Sequence, residues 1–315
     1  MFVQIKSIQD LTSNIRSYEL VDQEGDDLPA FSAGSHIDVV LSNGLIRQYS
    51  IANCYLDKKR YLIGVLKDEN SRGGSSYIHD NFKEGDVIEI NEPRNLFPVH
   101  ENTNKAVLFA GGIGITPILS MAYFLKKKNI PFNFYYFVRN NESIAFKDIL
   151  QNEFSEQIHF HIENDPQQHL DVNKILNQAE ENKHLYVCGP NGFMDFIFNL
   201  ATQNNWKYEL LHKEYFSADP LIDIEDNTEF SIKIASTGQL ISVSADESVA
   251  DALDKNGISV ALSCEQGICG SCLTNVLEGE PEHRDMFLTD EEHASNKLFT
   301  PCCSRSKTKI LVLDL

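Results

Sequence analysis

Ser263-Cys264-Glu265-Gln266-Gly267-Ile268-Cys269-Gly270-Ser271-Cys272 carries three thiols spaced Cys-x4-Cys-x2-Cys, and a fourth, Cys302, follows after 29 residues within Pro301-Cys302-Cys303-Ser304. Four thiolates at this spacing are the ligand set of a [2Fe-2S] cluster. A thiolate cage needs a backbone that wraps it closely. Gly267 and Gly270 permit positive φ and close approach where a Cβ would clash, and inward-turned amides can then hydrogen-bond the sulfurs. Two plainer readings exist. Structural zinc sites usually pair two Cys-x2-4-Cys knuckles, and only one half of this set has one. Disulfides need an oxidising compartment, which nothing in the sequence indicates.

Working outward, the chain has 315 residues, room for two or three cores, and a formal net charge of −19. That charge argues against nucleic acid or an anionic membrane surface as a partner. The start, Met1-Phe2-Val3-Gln4-Ile5-Lys6, has no apolar run of signal length, and no later segment reads as a membrane span. The expectation is a cytoplasmic protein. Of seven cysteines, Cys54, Cys188 and Cys303 remain outside the cluster set.

Residues 1–100 read as short alternating strands with polar turns: Val3–Lys6, Ser35–Leu41, Tyr61–Val65 and Val87–Ile90. That pattern predicts a small antiparallel β-barrel. Within it, Arg47-Gln48-Tyr49-Ser50 sets a cation and an aromatic hydroxyl on one face of a strand. Ser71-Arg72-Gly73-Gly74-Ser75-Ser76 is a glycine turn opening a short helix, Tyr77–Asn81, whose first N–H groups suit a phosphate.

From Lys105 the period changes. The apolar strand Ala106–Ala110 enters Gly111-Gly112-Ile113-Gly114-Ile115-Thr116-Pro117, and Ile115, Ile118, Leu119 and Ala122 then recur at helical spacing. A strand, glycine turn and helix make a phosphate cradle. The turn is not Gly-x-Gly-x-x-Gly, and no acid ends the next strand, Phe132–Val138, so the common dehydrogenase fingerprint is absent. Helices near Ile144–Phe154 and Val172–Ala179 alternate with strands Ile158–Ile162 and His184–Val187. The last runs into a second turn, Cys188-Gly189-Pro190-Asn191-Gly192-Phe193-Met194. Alternation of this kind predicts a parallel α/β sheet over residues 101–218 with ligands at its carboxyl edge. Residues 219–228, with four acids, a Pro and no base, read as a linker. Residues 229–315 open with a hairpin, Phe230–Ile234 and Leu240–Val243. A short helix starts at Ser248 and ends by Gly257, and after the cysteine loop comes a last strand, Ile310–Leu313.

Arg-x-Tyr-Ser followed by a Gly-Gly-Ser turn resembles the flavin domain of the ferredoxin reductase superfamily. The whole order of flavin barrel, nicotinamide domain, acidic linker and plant-type ferredoxin (β-grasp) domain resembles the phthalate dioxygenase reductase family, which also serves vanillate and carnitine oxygenases. The resemblance implies FMN bound by Arg47, Tyr49, Ser50, Val65, Lys67, Gly73, Gly74 and Ser75. It implies NADH bound by Gly111, Gly112, Gly114, Thr116, Pro117, Gly189 and Pro190, with Cys188 facing the nicotinamide and Glu214 and Phe216 near the flavin. Cys188 as a buried small hydrophobe, and Glu214 and Phe216 as a plain strand end, remain alternatives. Cys264, Cys269, Cys272 and Cys302 would hold the cluster. The function implied is passage of electrons from NADH through FMN and [2Fe-2S] to a separate terminal Rieske oxygenase, by a monomeric reductase. The oxygenase would act on an aromatic acid such as vanillate or phthalate, or on a quaternary amine such as carnitine. A stand-alone electron carrier, or a reductase for a diiron monooxygenase, are the alternatives. One Arg beside an acid, in Val138-Arg139-Asn140-Asn141-Glu142, favours NADH over NADPH.

Overall fold

The computed structural model describes residues 1–68, 73–177, 179–216 and 227–315. The Ser71-Arg72 half of the glycine turn and residues 219–226 of the acidic segment lie outside the described residues. The chain divides into two compact units, Met1–Phe216 and Ser217–Leu315.

The first unit opens with six strands, β1 (Phe2–Asp10), β2 (Ile15–Val21), β3 (His36–Val40), β4 (Ile46–Ser50), β5 (Tyr61–Leu66) and β6 (Val87–Ile90), with helix α1 (Gly74–Asn81) before the last. Their order is β4-β3-β6-β1-β2-β5, all pairs antiparallel. A bridge between Ile51 and Ile63 joins the two edge strands and closes the barrel, which removes the free edges of an open sheet. Alternate residues fill it: Val3 and Ile5, Tyr18 and Leu20, Ile37 and Val39 are all buried. β2 was not anticipated from the sequence, because Arg16 and Ser17 break the apolar alternation that Ile15, Tyr18 and Leu20 carry.

The remainder of this unit is a five-stranded parallel sheet, β7 (Lys105–Gly111), β8 (Phe132–Val138), β9 (Ile158–Ile162), β10 (Lys183–Cys188) and β11 (Leu211–Glu214), ordered β11-β10-β7-β8-β9. β7 sends Ala106, Leu108 and Ala110 to one face, where α2 (Ile115–Lys127) and α3 (Lys147–Phe154) pack. It sends Val107 and Phe109 to the other, where α4 (Val172–Leu176) and α5 (Asn191–Gln203) pack. Period-2 side-chain alternation thus builds a sheet covered on both sides. Fully burying one such Leu or Ile stabilises by about 1.5–3 kcal/mol. Ala33, Ala52, Leu62 and Phe97 from the barrel join the α2 core, so barrel and sheet share packing. The helix expected from Ile144 starts at Lys147, because Phe146 sits in the left-handed region at φ 55° and cannot belong to the helix.

In the second unit β12 (Phe230–Ile234), β13 (Leu240–Val243), β14 (Thr274–Glu278), β16 (Leu298–Phe299) and β18 (Ile310–Leu313) form a mixed sheet ordered β13-β12-β18-β14-β16, with β15 (Pro281–Glu282) and β17 (Arg305–Ser306) paired separately. Two short helices, α6 (Val249–Lys255) and α7 (Asp290–Ser295), each begin with a capping box, Ser248 with Asp251 and Thr289 with Glu292. Val249, Ala252 and Leu253 of α6 cover the sheet. Among the described residues no helix is long and apolar enough to cross a membrane.

Candidate functional site

β4 holds Arg47 and Tyr49 opposite Val39 and Ile37, so both share the face of those core residues, while Gln48 and Ser50 pair with Asp38 and His36 on the other. The stem of Arg47 lies against α1. A Cβ on Gly74 would come within 2.6 Å of Arg47 Cγ and Nε, so glycine is what lets the helix start sit on the arginine. Gly73 precedes it at φ 90°, a conformation glycine adopts readily, and no side chain caps α1. A cation and an uncapped helix start meeting at one place form an anion site. Ser75 Oγ accepts from Asp68 N–H at 3.2 Å. Lys67 is ion-paired with Asp80 at 2.6 Å. Val65 is wholly buried, and its carbonyl contacts His79 Nε2 at 2.9 Å. Burial pushes the Tyr49 hydroxyl well above its ordinary pKa, so it is a neutral donor.

Sequence reading did not anticipate what braces this strand. Asp38, buried, accepts from Arg94 Nη2 at 2.7 and 2.9 Å and from Gln48 at 3.1 Å. The ion pair ties β3 to the segment after β6, Gln48 ties it to β4, and only the tertiary fold brings residues 38 and 94 together.

The two glycine turns of the parallel sheet end adjacent strands, β7 and β10, which run on to opposite faces through α2 and α5. That is a topological switch point, where open α/β sheets bind ligands. The turns touch: a Cβ on Gly114 would stand 2.2 Å from the Cys188 carbonyl oxygen, and one on Gly189 3.0 Å from Gly111 Cα. Neither α2 nor α5 has a side-chain cap, leaving two positive helix ends at one crevice. Thr116 donates to the Ile113 carbonyl at 3.1 Å, and Pro117 sits in the first turn of α2.

Cys188 is fully buried, and its thiol donates to the Glu214 carbonyl across the β10–β11 pair at 3.4 Å. Burial raises the thiol far above its ordinary pKa, so it is not a thiolate nucleophile. Glu214 Oε2 is buried without a hydrogen-bond partner, and desolvation pushes the carboxyl up to about 8. Desolvation thus favours the protonated, uncharged carboxyl at this edge of the crevice. Phe216, two residues on, is 38% exposed.

In the second unit four of the five cysteines come as two pairs. Cys272 and Cys302 lie 3.3 Å apart at sulfur, and Cys264 and Cys269 are in mutual hydrogen-bond contact. The Gln266 and Ser271 amides donate to Cys264 and Cys269 at 3.4 Å each. Glu265, Gly267 and Gly270 all take positive φ, which wraps the loop round the sulfurs. Two thiol pairs inside a shell of amide donors fit a two-iron centre with two thiolates per metal. Cys303 also touches Cys302, but its sulfur lies against Gly267, whose Cβ would be 2.4 Å away, and contacts the Thr300 hydroxyl at 3.4 Å.

Comparison with known proteins agrees with this geometry. The 2Fe-2S iron-sulfur cluster binding domain family matches residues 232–307, and the oxidoreductase NAD-binding domain family matches residues 108–198. A vanillate O-demethylase oxidoreductase of Acinetobacter baylyi is 56% identical over 100% of this chain and 99% of its own. The phthalate dioxygenase reductase of Burkholderia cepacia is 36% identical over 99% of this chain and 97% of its own. The solved structure of a phthalate dioxygenase reductase, described as a modular structure for electron transfer from pyridine nucleotides to [2Fe-2S], superposes at TM-score 0.79 with 36% identity, over 100% of this chain and 98% of that one. The chain thus belongs to the phthalate dioxygenase reductase family, NAD-, FMN- and [2Fe-2S]-dependent oxidoreductases that act as the electron-supplying components of two-component oxygenases.

Proposed function

We propose that this reductase oxidises NADH and supplies a separate terminal Rieske oxygenase that demethylates vanillate. The observation that carries the substrate class is the identity gradient: 56%, 48% and 47% to three vanillate O-demethylase oxidoreductases, against 35% to a carnitine and 36% to a phthalate reductase, all over nearly the full chain. Residues 1–100 are the flavin module, 101–218 the nicotinamide module, 219–228 a linker and 229–315 the ferredoxin module.

Bound FMN would supply the conversion between a two-electron hydride donor and a one-electron cluster. The chain's own part is positional. Arg47, the start of α1 at Gly73, Gly74 and Ser75, and nearby Lys67 hold the flavin phosphate, while Tyr49, Ser50 and Val65 line the flavin. Gly111, Gly112, Gly114, Thr116 and Pro117 cradle the NADH pyrophosphate at the start of α2, and Gly189 and Pro190 bring the second turn against it. Cys188 and the protonated Glu214 bound the nicotinamide pocket without adding charge, and Phe216 covers the flavin face. Cys264 with Cys269, and Cys272 with Cys302, hold the two irons. The single Arg139 beyond β8, followed by Glu142, suits the 2′-hydroxyl of NADH rather than a phosphate. The reductase works as a monomer in the cytoplasm, supported by a charge of −19 that keeps copies apart and by thiols that need reducing surroundings.

The test is coupled turnover. The purified holoprotein, NADH and, in turn, purified vanillate, phthalate and carnitine oxygenases are combined, and product is followed. Fastest turnover with the vanillate oxygenase is expected; faster turnover with either of the others would overturn the substrate class while leaving the reductase assignment standing.

A further inference from the structure

Behind the cysteine loop, three side chains converge that the electron path does not use. Asp285 is fully buried at its side chain, with His293 Nε2 3.3 Å from Oδ2 and His283 Nδ1 3.7 Å from Oδ1. The two imidazoles stack with centroids 4.3 Å apart. His283 is nine-tenths buried, with 10% of its side chain exposed, yet neither of its ring nitrogens has a hydrogen-bond partner. A buried imidazole with both nitrogens unsatisfied is costly, and its position against a carboxylate and a second imidazole shows what would satisfy it.

We infer that His283, His293 and Asp285 form a binding site for one divalent cation of the zinc class, distinct from the four cysteines. The ligand atoms of the three already lie within 4.8 Å of one another. A tetrahedral ion with bonds of about 2.0–2.1 Å holds its ligand atoms roughly 3.4 Å apart, so a closure of little more than an ångström completes the set. Asp285 is oriented for the task. Oδ2 accepts the Leu288 amide at 2.8 Å, and Oδ1 accepts the Thr300 hydroxyl at 3.3 Å and the Ser304 hydroxyl at 3.4 Å. Those three bonds occupy three of about four lone-pair directions on a carboxylate, and His293 Nε2 takes the fourth, on Oδ2 at 3.3 Å, the contact that an ion between the two would replace. Two imidazoles and one carboxylate select zinc, cobalt or nickel over magnesium or calcium, which take oxygen sets. With three protein ligands, the fourth position goes to water. A bound ion would tie the segment after β15 to α7, across the residue whose Cα would sit 2.9 Å from a Cβ on Gly267 of the cluster loop.

The experiment uses untagged full-length holoprotein, treated with a mild chelator, incubated with zinc chloride, desalted, and assayed for zinc and iron. One zinc per chain beyond the cluster iron is expected, with cobalt giving four-coordinate visible bands and magnesium failing to compete. His293→Gln, on a partly exposed helix position, and His283→Gln should each weaken zinc retention by at least about tenfold while iron content and the cluster spectrum stay as in the parent. Equal zinc retention by both variants and the parent, zinc uptake only at the expense of iron, or effective competition by magnesium would overturn the site.

Discussion

Gly114 and Cys188 meet through their backbones, with a Cβ on the glycine placed 2.2 Å from the cysteine carbonyl oxygen and 2.6 Å from the Gly189 nitrogen. Gly114 has φ −60°, which any residue adopts, so its requirement for glycine is steric and not conformational. The contact sets the spacing of the two turns at the carboxyl edge of β7 and β10. Gly114→Ala must push backbone against backbone, so a loss of about 1–3 kcal/mol is expected, read as a lower Tm. The KM for NADH should rise more than the FMN content falls, because the displaced turn belongs to the parallel sheet.

Gly74 tests the barrel side. Alanine there runs into Arg47 Cγ and Nε at 2.6 Å, and those atoms belong to a flexible side chain that can swing away. Stability should change by less than about 1 kcal/mol, but the guanidinium leaves the helix start. Gly74→Ala is expected to lower FMN retention after gel filtration at least about tenfold, the effect of losing one charged hydrogen-bond partner worth roughly 1.5–3 kcal/mol. Unchanged flavin content would show that Arg47 does not hold the phosphate.

Glu214 gives a pH signature. Its folded-state pKa is pushed up to about 8 by desolvation, against an unfolded value near 4.3. The folded state therefore keeps the proton longer, and stability falls as pH rises between those two values and levels off above the upper one. Glu214→Gln removes the titration while keeping the shape. Between about pH 5 and pH 8 the Tm of the variant should decline less than that of the parent; parallel Tm profiles would show that Glu214 ionises freely.

How far the sequence reaches depends on whether the information is local. The cluster loop is legible because three of its ligands and both its glycines fall within ten residues, and the parallel sheet because strands and glycine turns repeat in order. α5 went unread beyond its first turn, although Met194, Ile197 and Ala201 mark its buried face at helical spacing. The Phe193-Met194 segment drew attention as a turn instead. α7 had a readable signal in Thr289-x-x-Glu292. Asp38 with Arg94 had none, because the pairing is made by packing between distant segments, and His283 with His293 had none, because no strand or helix period links the two positions.

The choice between Cys302 and Cys303 is a one-residue question of register. Cys302 faces Cys272 sulfur to sulfur at 3.3 Å, while Cys303 contacts Cys302 and also reaches Thr300 and Ser304 at 3.4 and 3.8 Å. Cys302→Ser should lose or destabilise the cluster, seen as lost visible absorbance and iron. Cys303→Ser should keep it, since serine preserves the contacts to Thr300 and Ser304. The reverse outcome would place the fourth ligand at Cys303.

Separating the two units tests the order of the electron path. Met1–Phe216 forms a compact unit with its own shared core, and both glycine turns and Arg47 lie inside it. A chain ending at Asp219 should fold and hold FMN. Hydride transfer uses only that unit, so the truncated protein is expected to oxidise NADH with ferricyanide as acceptor at a rate within about twofold of the full chain, an uncertainty of about 0.4 kcal/mol in barrier height. Delivery to the oxygenase requires the cysteines of the second unit, so coupled product formation should disappear. A folded, FMN-loaded truncation that still drove the oxygenase at the full rate would show that electrons leave from the flavin, and that the loop around Cys264 and Cys302 serves only to hold its own unit together.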